Sequence, residues 1–227
     1  MDNLTENPFR AARGRILRGQ IAKLANHFGR PIVILDVGGR ADYWNNVGFD
    51  NVAMIRLLNS DKIELQRKAS SNIFVSELGD ARNLSKYADK SVDLVHSNSV
   101  IEHVGPWQDM CAMADEVLRV GLSGWIQTPA WEFPIEPHFR LPFLHWFGQP
   151  LRRAMLRGSK HYGAMNIRQR RYHIDRINLL SYGEVKSLFP ECEVFVERLI
   201  IAKSYTARWA PTEVDLWSRT PGSQGEC

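Results

Sequence analysis

The sequence predicts an α/β fold built on a mostly parallel sheet of seven strands. Three observations predict it. Short apolar runs of the buried-strand kind recur, with helical or loop connections between them. The first run ends in an acid and a double glycine, "ILDVGG" at 34–39, the pattern of a strand turning sharply into a helix. The last two runs, "CEVFVERLI" and "IAKSYTARW", are too close together for a crossover, so an antiparallel hairpin joins them.

The elements follow in order. Ile16, Leu17, Ile21, Leu24, Ala25 and Phe28 recur at spacings of three and four, which predicts an amphipathic helix over 9–28 with arginines on its other face. "HFGRP" supplies its stop. "IVILDV" is the first strand, "NVAMIRLLN" the second, "SNIFVSE" the third and "SVDLVHSN" the fourth. "DMCAMADEVLRV" reads as a helix with Met110, Met113, Ala114, Val117 and Leu118 on one side. "SGWIQTP" is the fifth strand, closed by Pro129. Residues 130–176 interrupt the rhythm with a block dense in proline and aromatics, followed by an arginine-rich stretch. "LSYGEVKSLFP" then predicts a helix ending before Pro190. The expected organisation is an N-terminal helix over 1–30, a main domain over 31–209 carrying a helical, Pro-aromatic insert at 130–176, and a polar tail over 210–227.

Composition narrows the class. The chain has 227 residues, 44% hydrophobic and 24% charged, enough for one large α/β domain. It has no apolar run of about 18 residues and no signal-peptide pattern, so a soluble, cytoplasmic protein is expected. Cys111, Cys192 and Cys227 show no metal spacing, and their odd number argues against a disulfide framework. Two packed thiols and an exposed terminal one are expected. The net charge of +4 is uneven: between His138 and Arg176 stand nine Lys or Arg and one acid, Asp175. A local preference for anionic partners follows, with nucleic acid disfavoured because the aromatics are not interleaved with the arginines.

In open α/β sheets, ligands sit at the carboxyl ends of the strands, where the strand order reverses. The loop after the first strand, with Asp36, Gly38 and Gly39, is the usual place. The dinucleotide pattern G-x-G-x-x-G is absent, because the turn reads G-G-R-A-D-Y, and no phosphate loop exists. A nucleotide-dependent oxidoreductase is therefore disfavoured, while a phosphate-free nucleoside cofactor remains compatible.

Taken together, "ILDVGG", "GDARNL" at 79–84, "DKSVDLVHSNSVIEHV" at 89–104, "ADEVLRV" at 114–120 and "IQTP" at 126–129 resemble the class I S-adenosylmethionine-dependent methyltransferases. The likeness is closest to the small-molecule branch, the type 11 methyltransferase domain, and runs from about Pro31 to about Trp209. It implies a Rossmann-like fold with helices on both faces of the sheet, and S-adenosylmethionine as cofactor. It implies that Asp36, Gly38 and Gly39 flank the methionine half. The ribose hydroxyls fall to Asn59 or Asp61, since "LLNSD" stands where the family ends its second strand in an acid. Asn59 accepts only through its amide oxygen and should bind more weakly than a carboxylate. Asp80 and Ala81 would meet the adenine, and Ser97 and Asn98 the methionine moiety near the sulfonium.

Two departures stand out. Arg40 and Asp42 replace glycines of the family's D-x-G-x-G-x-G turn. Side chains that fold outward, or pair with each other, leave the pocket open; side chains that fill it close it. His103 in "EHV" is a candidate general base or an orienting residue, whereas His96 inside a buried-strand pattern reads as a core histidine. The insert sets Glu136, His138, Arg140 and His145 among aromatics, as a small-molecule site requires. His138 and His103, with Glu136 as orienter or alternative base, are the catalytic candidates. The stretch "LRRAMLRGSK" could meet an anionic group on the acceptor, or lie on an anionic membrane surface as a peripheral contact with Leu151, Met155 and Leu156 facing inward. No sequence feature specifies an oligomeric state. The expected activity is methyl transfer to an O or N atom of a small, anionic or amphipathic molecule. The alternative is a non-catalytic or cofactor-weak partner protein on the same fold.

Overall fold

The computed structural model describes residues 8–65, 71–135, 142–158 and 162–214. The strands are β1 (Ile32–Val37), β2 (Val52–Asn59), β3 (Phe74–Leu78), β4 (Val92–Asn98), β5 (Gly121–Pro129), β6 (Glu193–Arg198) and β7 (Ala202–Trp209). They form one sheet in the order β3-β2-β1-β4-β5-β7-β6. β1 pairs in parallel with both β2 and β4, and β2 with β3, while β6 and β7 are antiparallel. The strand order therefore reverses beside β1, between it and β4. This is the Rossmann-like arrangement the apolar runs predict, C-terminal hairpin included.

The helices among the described residues are α1 (Pro8–Phe28), α2 (Ala41–Val47), α3 (Lys62–Leu65), α4 (Trp107–Val120), α5 (Gln149–Leu156), α6 (Ile167–Asp175) and α7 (Tyr182–Leu188). None is long and apolar enough to cross a membrane. α6 and α7 each begin with a full capping box, Asn166 with Gln169 and Ser181 with Glu184, which satisfies N–H groups the first turn would otherwise leave bare. α5 and α6 lie where the proline and aromatic content obscured the helical period. Small shifts occur at element ends: β3 starts at Phe74 because Ser71 and Ile73 belong to the preceding turn.

The chain divides into two compact units. One comprises Met1–Ser97, Glu116–Trp125 and Trp209–Cys227. Its core gathers Leu17, Ile21 and Leu24 of α1, Ile32 and Ile34 of β1, Trp44, Ile55, Leu94 and Trp125. The α1 stripe is thus the one its spacing predicts, with an addition: Gln20 is buried on it, and its amide donates to the Gly124 carbonyl at 3.3 Å. Arg30 grips Asp93 through two hydrogen bonds of 2.7 and 2.9 Å, and Asp93 also accepts from the Val33 N–H. The other unit comprises Asn98–Asp115 and Ile126–Arg208. There Leu144, Leu156, Tyr162, Ile174 and Ile177 form a second core under the insert helices. Cys192 is buried and Cys111 half-buried, and neither is in a disulfide; Cys227 lies outside the described residues.

Glu77 of β3 shows how this sheet edge is held by charge. Burial pushes its carboxyl up, but hydrogen bonds from Lys86, Tyr87 and Arg56 outweigh that and hold it at about 2. A carboxyl depressed in the folded state stabilises above its unfolded pKa, and that stability fades as pH falls toward the folded value. Glu77→Gln is therefore expected to lose roughly 1–3 kcal/mol near neutral pH. The gap between parent and variant should close as pH drops from about 4.5 to about 2, read by urea denaturation.

Candidate functional site

The site begins where β1 ends. Asp36 is 1% exposed, and both of its carboxylate oxygens are held from within. The Trp44 indole N–H donates to one at 2.6 Å, and Nδ1 of His96 lies 2.6 Å from the other. A carboxylate only accepts, so Nδ1 of His96 carries the proton. Register explains the meeting: Asp36 of β1 stands directly across from His96 of β4, and α2 brings Trp44 back over both. The Tyr43 ring packs on His96 with centroids 5.0 Å apart, and burial together with the Asp36 charge drives the Tyr43 phenol well above its ordinary range.

This inward fold of Asp36 dictates the double glycine. A Cβ on Gly39 would lie 1.7 Å from the Asp36 carboxylate, so no larger residue fits without displacing it. Gly38 has φ of 73°, the left-handed region that L side chains rarely adopt, and its N–H donates to the Leu58 carbonyl at 2.7 Å. From β2, the Asn59 amide nitrogen donates to the Gly39 carbonyl at 2.9 Å. That bond fixes the amide's orientation and leaves its oxygen as the acceptor.

The two departures from the family turn resolve differently from mutual pairing. Arg40 reaches Glu64 at 2.7 Å, with over half of its side chain exposed, and so is not packed into the turn. Asp42 is exposed in the first turn of α2, where its charge suits the helix N-terminus.

The other predicted residues of this unit fall as follows. Asp61 is exposed and accepts the Ile63 N–H at 2.9 Å. Asp80 is paired with Arg82 at 2.6 Å, and those hydrogen bonds hold its carboxyl below the usual range. Ala81 beside it is half-buried. Ser97 is fully buried and donates to the Val37 carbonyl at 3.1 Å, stitching β4 to β1 at the switch point.

In the second unit, Asn98 directly follows Ser97 and is half-buried. Ser99 comes next with φ of 58°, held by its N–H on the Gln127 carbonyl at 2.9 Å and its hydroxyl on the Gln127 amide oxygen at 3.1 Å. His103 sits in a single 3₁₀ turn, Ile101–His103, with Nδ1 3.3 Å from the Arg176 carbonyl. A carbonyl can only accept, so Nε2 is its basic nitrogen, 4.0 Å from a Glu102 oxygen. Glu102 is fully buried, and its other oxygen accepts from the Thr128 hydroxyl at 3.0 Å. Glu136, His138 and Arg140 lie outside the described residues. His145 is no pocket-lining group: it is buried, with Nε2 2.8 Å from the Trp131 carbonyl.

Sequence reasoning passed over Trp44, Glu64, Glu102 and Gln127. Glu102 carried a signal, an acid in the apolar "SVIEHV", but His103 next to it is the more familiar chemical group. Trp44 carried none beyond its helical position.

A strand end at the switch point, a glycine turn without phosphate-loop features and a following helix are the features of a Rossmann-like sheet at the place where such sheets take ligands. Residues 37–124 match the family model described as "Methyltransferase domain". Over those residues, which are under half of the chain, the sequence is similar to methyltransferase domains. Among curated proteins none matches the chain. Solved structures share the fold. A protein from Pyrococcus horikoshii OT3 is 18% identical with a TM-score of 0.50, over 86% of this chain and 91% of that one. Magnesium protoporphyrin IX methyltransferase from Synechocystis PCC 6803, with bound S-adenosylhomocysteine, is 11% identical with a TM-score of 0.50, over 87% and 82%. A Rhodobacter sphaeroides chain provisionally described as a zinc-dependent alcohol dehydrogenase is 10% identical with a TM-score of 0.50, over 80% and 84%. Names so different at such identities mean that these likenesses carry the fold alone.

The clamp on Asp36 generates a stability prediction. Trp44→Phe keeps most of the ring and removes the donor, leaving a buried carboxylate oxygen unsatisfied. It is expected to cost about 1–3 kcal/mol in urea denaturation, more than a truncation of similar size that removes no hydrogen bond.

Proposed function

We propose that this protein transfers a methyl group from S-adenosylmethionine to an O or N atom of a small, anionic or amphipathic molecule. The observation that supports this most is at the Gly38–Gly39 turn: Arg40, the residue best able to fill it, pairs with Glu64 instead. When bound, the cofactor supplies an electrophilic methyl on a sulfonium. Gly38, Gly39 and Asn98 would border its methionine half. The Asn59 amide oxygen would accept from the ribose, with Asp61 as a further acceptor nearby in sequence. Asp80 and Ala81 would meet the adenine. Asp36 and Ser97 act beneath, setting the shape of the turn.

Displacement at a methyl carbon needs alignment more than a reactive protein group, and good alignment lowers such barriers by roughly 7–11 kcal/mol in the best oriented cases. What the chain must add is removal of the acceptor proton. His103 offers a basic Nε2 for this, its ring held by the Arg176 carbonyl. Glu136 and His138 remain the other candidates, from the insert.

A second reading, a cofactor-weak partner protein on the same fold, draws on a specific observation. Asp36, Asn59 and Asp80 each already have protein partners. Calorimetric titration with S-adenosylhomocysteine separates the two, because micromolar binding fits the first reading and no heat up to millimolar product fits the second. Asn59→Ala is expected to weaken that binding about tenfold. Gly38→Val should abolish it, with about 1–3 kcal/mol of lost stability from the forced left-handed backbone. His103→Gln should leave binding intact while slowing labelled methyl transfer about 10²-fold or more.

A further inference from the structure

The insert presents an apolar surface for which the mechanism has no use. On α5, Leu156 points inward and is fully buried with Leu144, Tyr162, Ile174 and Ile177. The opposite face carries Leu151, Ala154 and Met155 at helical spacings, all exposed. Of the three residues that the membrane alternative sets facing inward, only Leu156 is buried in the protein core, while Leu151 and Met155 are 47% and 36% exposed. In the turn before α5, Phe143, Trp146 and Phe147 are exposed as well, and so is Trp131, whose ring lies 6.2 Å from that of Trp146. The Trp146 indole N–H donates to the Trp131 carbonyl at 2.9 Å, and the Phe143 and Trp146 rings are 4.9 Å apart. Arg152 ties the turn to α5 by donating to the carbonyls of Phe147 and His145.

Two features single this surface out. Phe143 holds φ of 63°, a left-handed conformation that is costly for a bulky residue, yet its ring faces outward and gains no core packing. The stretch of chain that carries it is one-sided in charge. The described residues from 142 to 178 include Arg152, Arg153, Arg157, Arg168, Arg170, Arg171 and Arg176 against the single acid Asp175, which is itself paired with Arg171.

We propose that this face docks onto an anionic phospholipid bilayer as a peripheral contact. The aliphatic face of α5 and the Phe143–Phe147 turn would enter the headgroup boundary, where tryptophan rings are favoured. Arginines of the same stretch, Arg157 on the exposed end of α5 among them, would meet lipid phosphates. A nucleic acid would engage the arginines but leave Leu151 and Met155 with nothing to bury them. An acidic protein partner would explain the charge less economically than a surface that is both anionic and apolar just beneath.

The test uses the full chain without cofactor, so its outcome is independent of whether the cofactor site works. The protein is spun with vesicles of phosphatidylcholine alone and with vesicles containing about a third phosphatidylserine. Binding is expected with the anionic vesicles, at least about tenfold weaker with the neutral ones, and falling as salt rises. The double variant Leu151→Gln with Met155→Gln is expected to lower partitioning about tenfold with an unchanged melting temperature, since both residues are exposed. Arg157→Glu with Arg168→Glu should lower it further and flatten the salt dependence. The proposal is overturned if the protein ignores both vesicle types, or if the apolar variant partitions as the parent does. It is equally overturned if that variant instead dissolves a concentration-dependent dimer with no vesicle binding, which would assign the face to a second copy of the chain.

Discussion

A carboxylate taken out of water at the end of a central strand is destabilising by several kcal/mol unless its oxygens are matched. Asp36 is in that position, and much of the first unit follows from how it is matched. One oxygen needs a donor from β4, which places His96 opposite it in register. The other needs a donor from above, which requires α2 to begin immediately after the turn so that Trp44 returns over the strand end. The turn must then pass over the carboxylate with no Cβ in the way, hence Gly39, and must reverse tightly enough to require Gly38. Asn59 completes the enclosure from β2 by holding the Gly39 carbonyl. The shape of the cofactor-side loop is thus set by satisfaction of a buried charge, before any ligand is considered.

This ordering explains what could be read from the residues. Strands buried on both faces announce themselves as unbroken apolar runs, and "IVILDV" and "SVDLVHSN" were legible for that reason. The α1 stripe was legible because one face of a helix packs on the core and its period is fixed. The place of the site was legible in "DVGG", since only glycine tolerates such a turn. Its inner workings were not. Trp44 looks like any helix residue until a buried acid needs its N–H, and His96 was readable as buried but not as the partner of Asp36. The Arg40–Glu64 pair joins segments 24 positions apart, and nothing local announces it. Ser99 adopts a conformation usually marked by glycine, without one, because Gln127 holds it from β5. In the insert, prolines and aromatics masked two helices. His145, which composition alone placed in a pocket, is turned inward to support the Trp131 carbonyl.

The insert also separates two uses of apolar surface that composition cannot distinguish. Leu156 and Leu151 are both leucines of one short helix in the same basic stretch. One closes the second core, while the other remains in contact with solvent. An aliphatic face that were merely surplus would tolerate polar substitution, and a helix lined with arginines has polar residues to spare. Keeping Leu151, Met155, Trp146 and Phe147 together on the outside is a constraint that core packing does not impose.

Burial also bears on whether the polar contacts around the turn mark a site that has closed on itself. Asp36 is matched deep inside, where breaking a charged hydrogen bond leaves an unsatisfied group, so it is a brace and not a ligand for anything that comes and goes. Asp80 is matched by Arg82 at the surface, with both side chains around two-fifths exposed, where an ion pair is worth about 0–1 kcal/mol. Such a pair yields readily to a ligand that offers the carboxylate a better donor, and the carboxyl kept low by Arg82 stays an acceptor throughout. Asn59 spends its amide nitrogen on the loop and keeps its oxygen. The contacts are therefore graded: permanent below the turn, shared at its rim and exchangeable at the exposed Asp80–Arg82 pair.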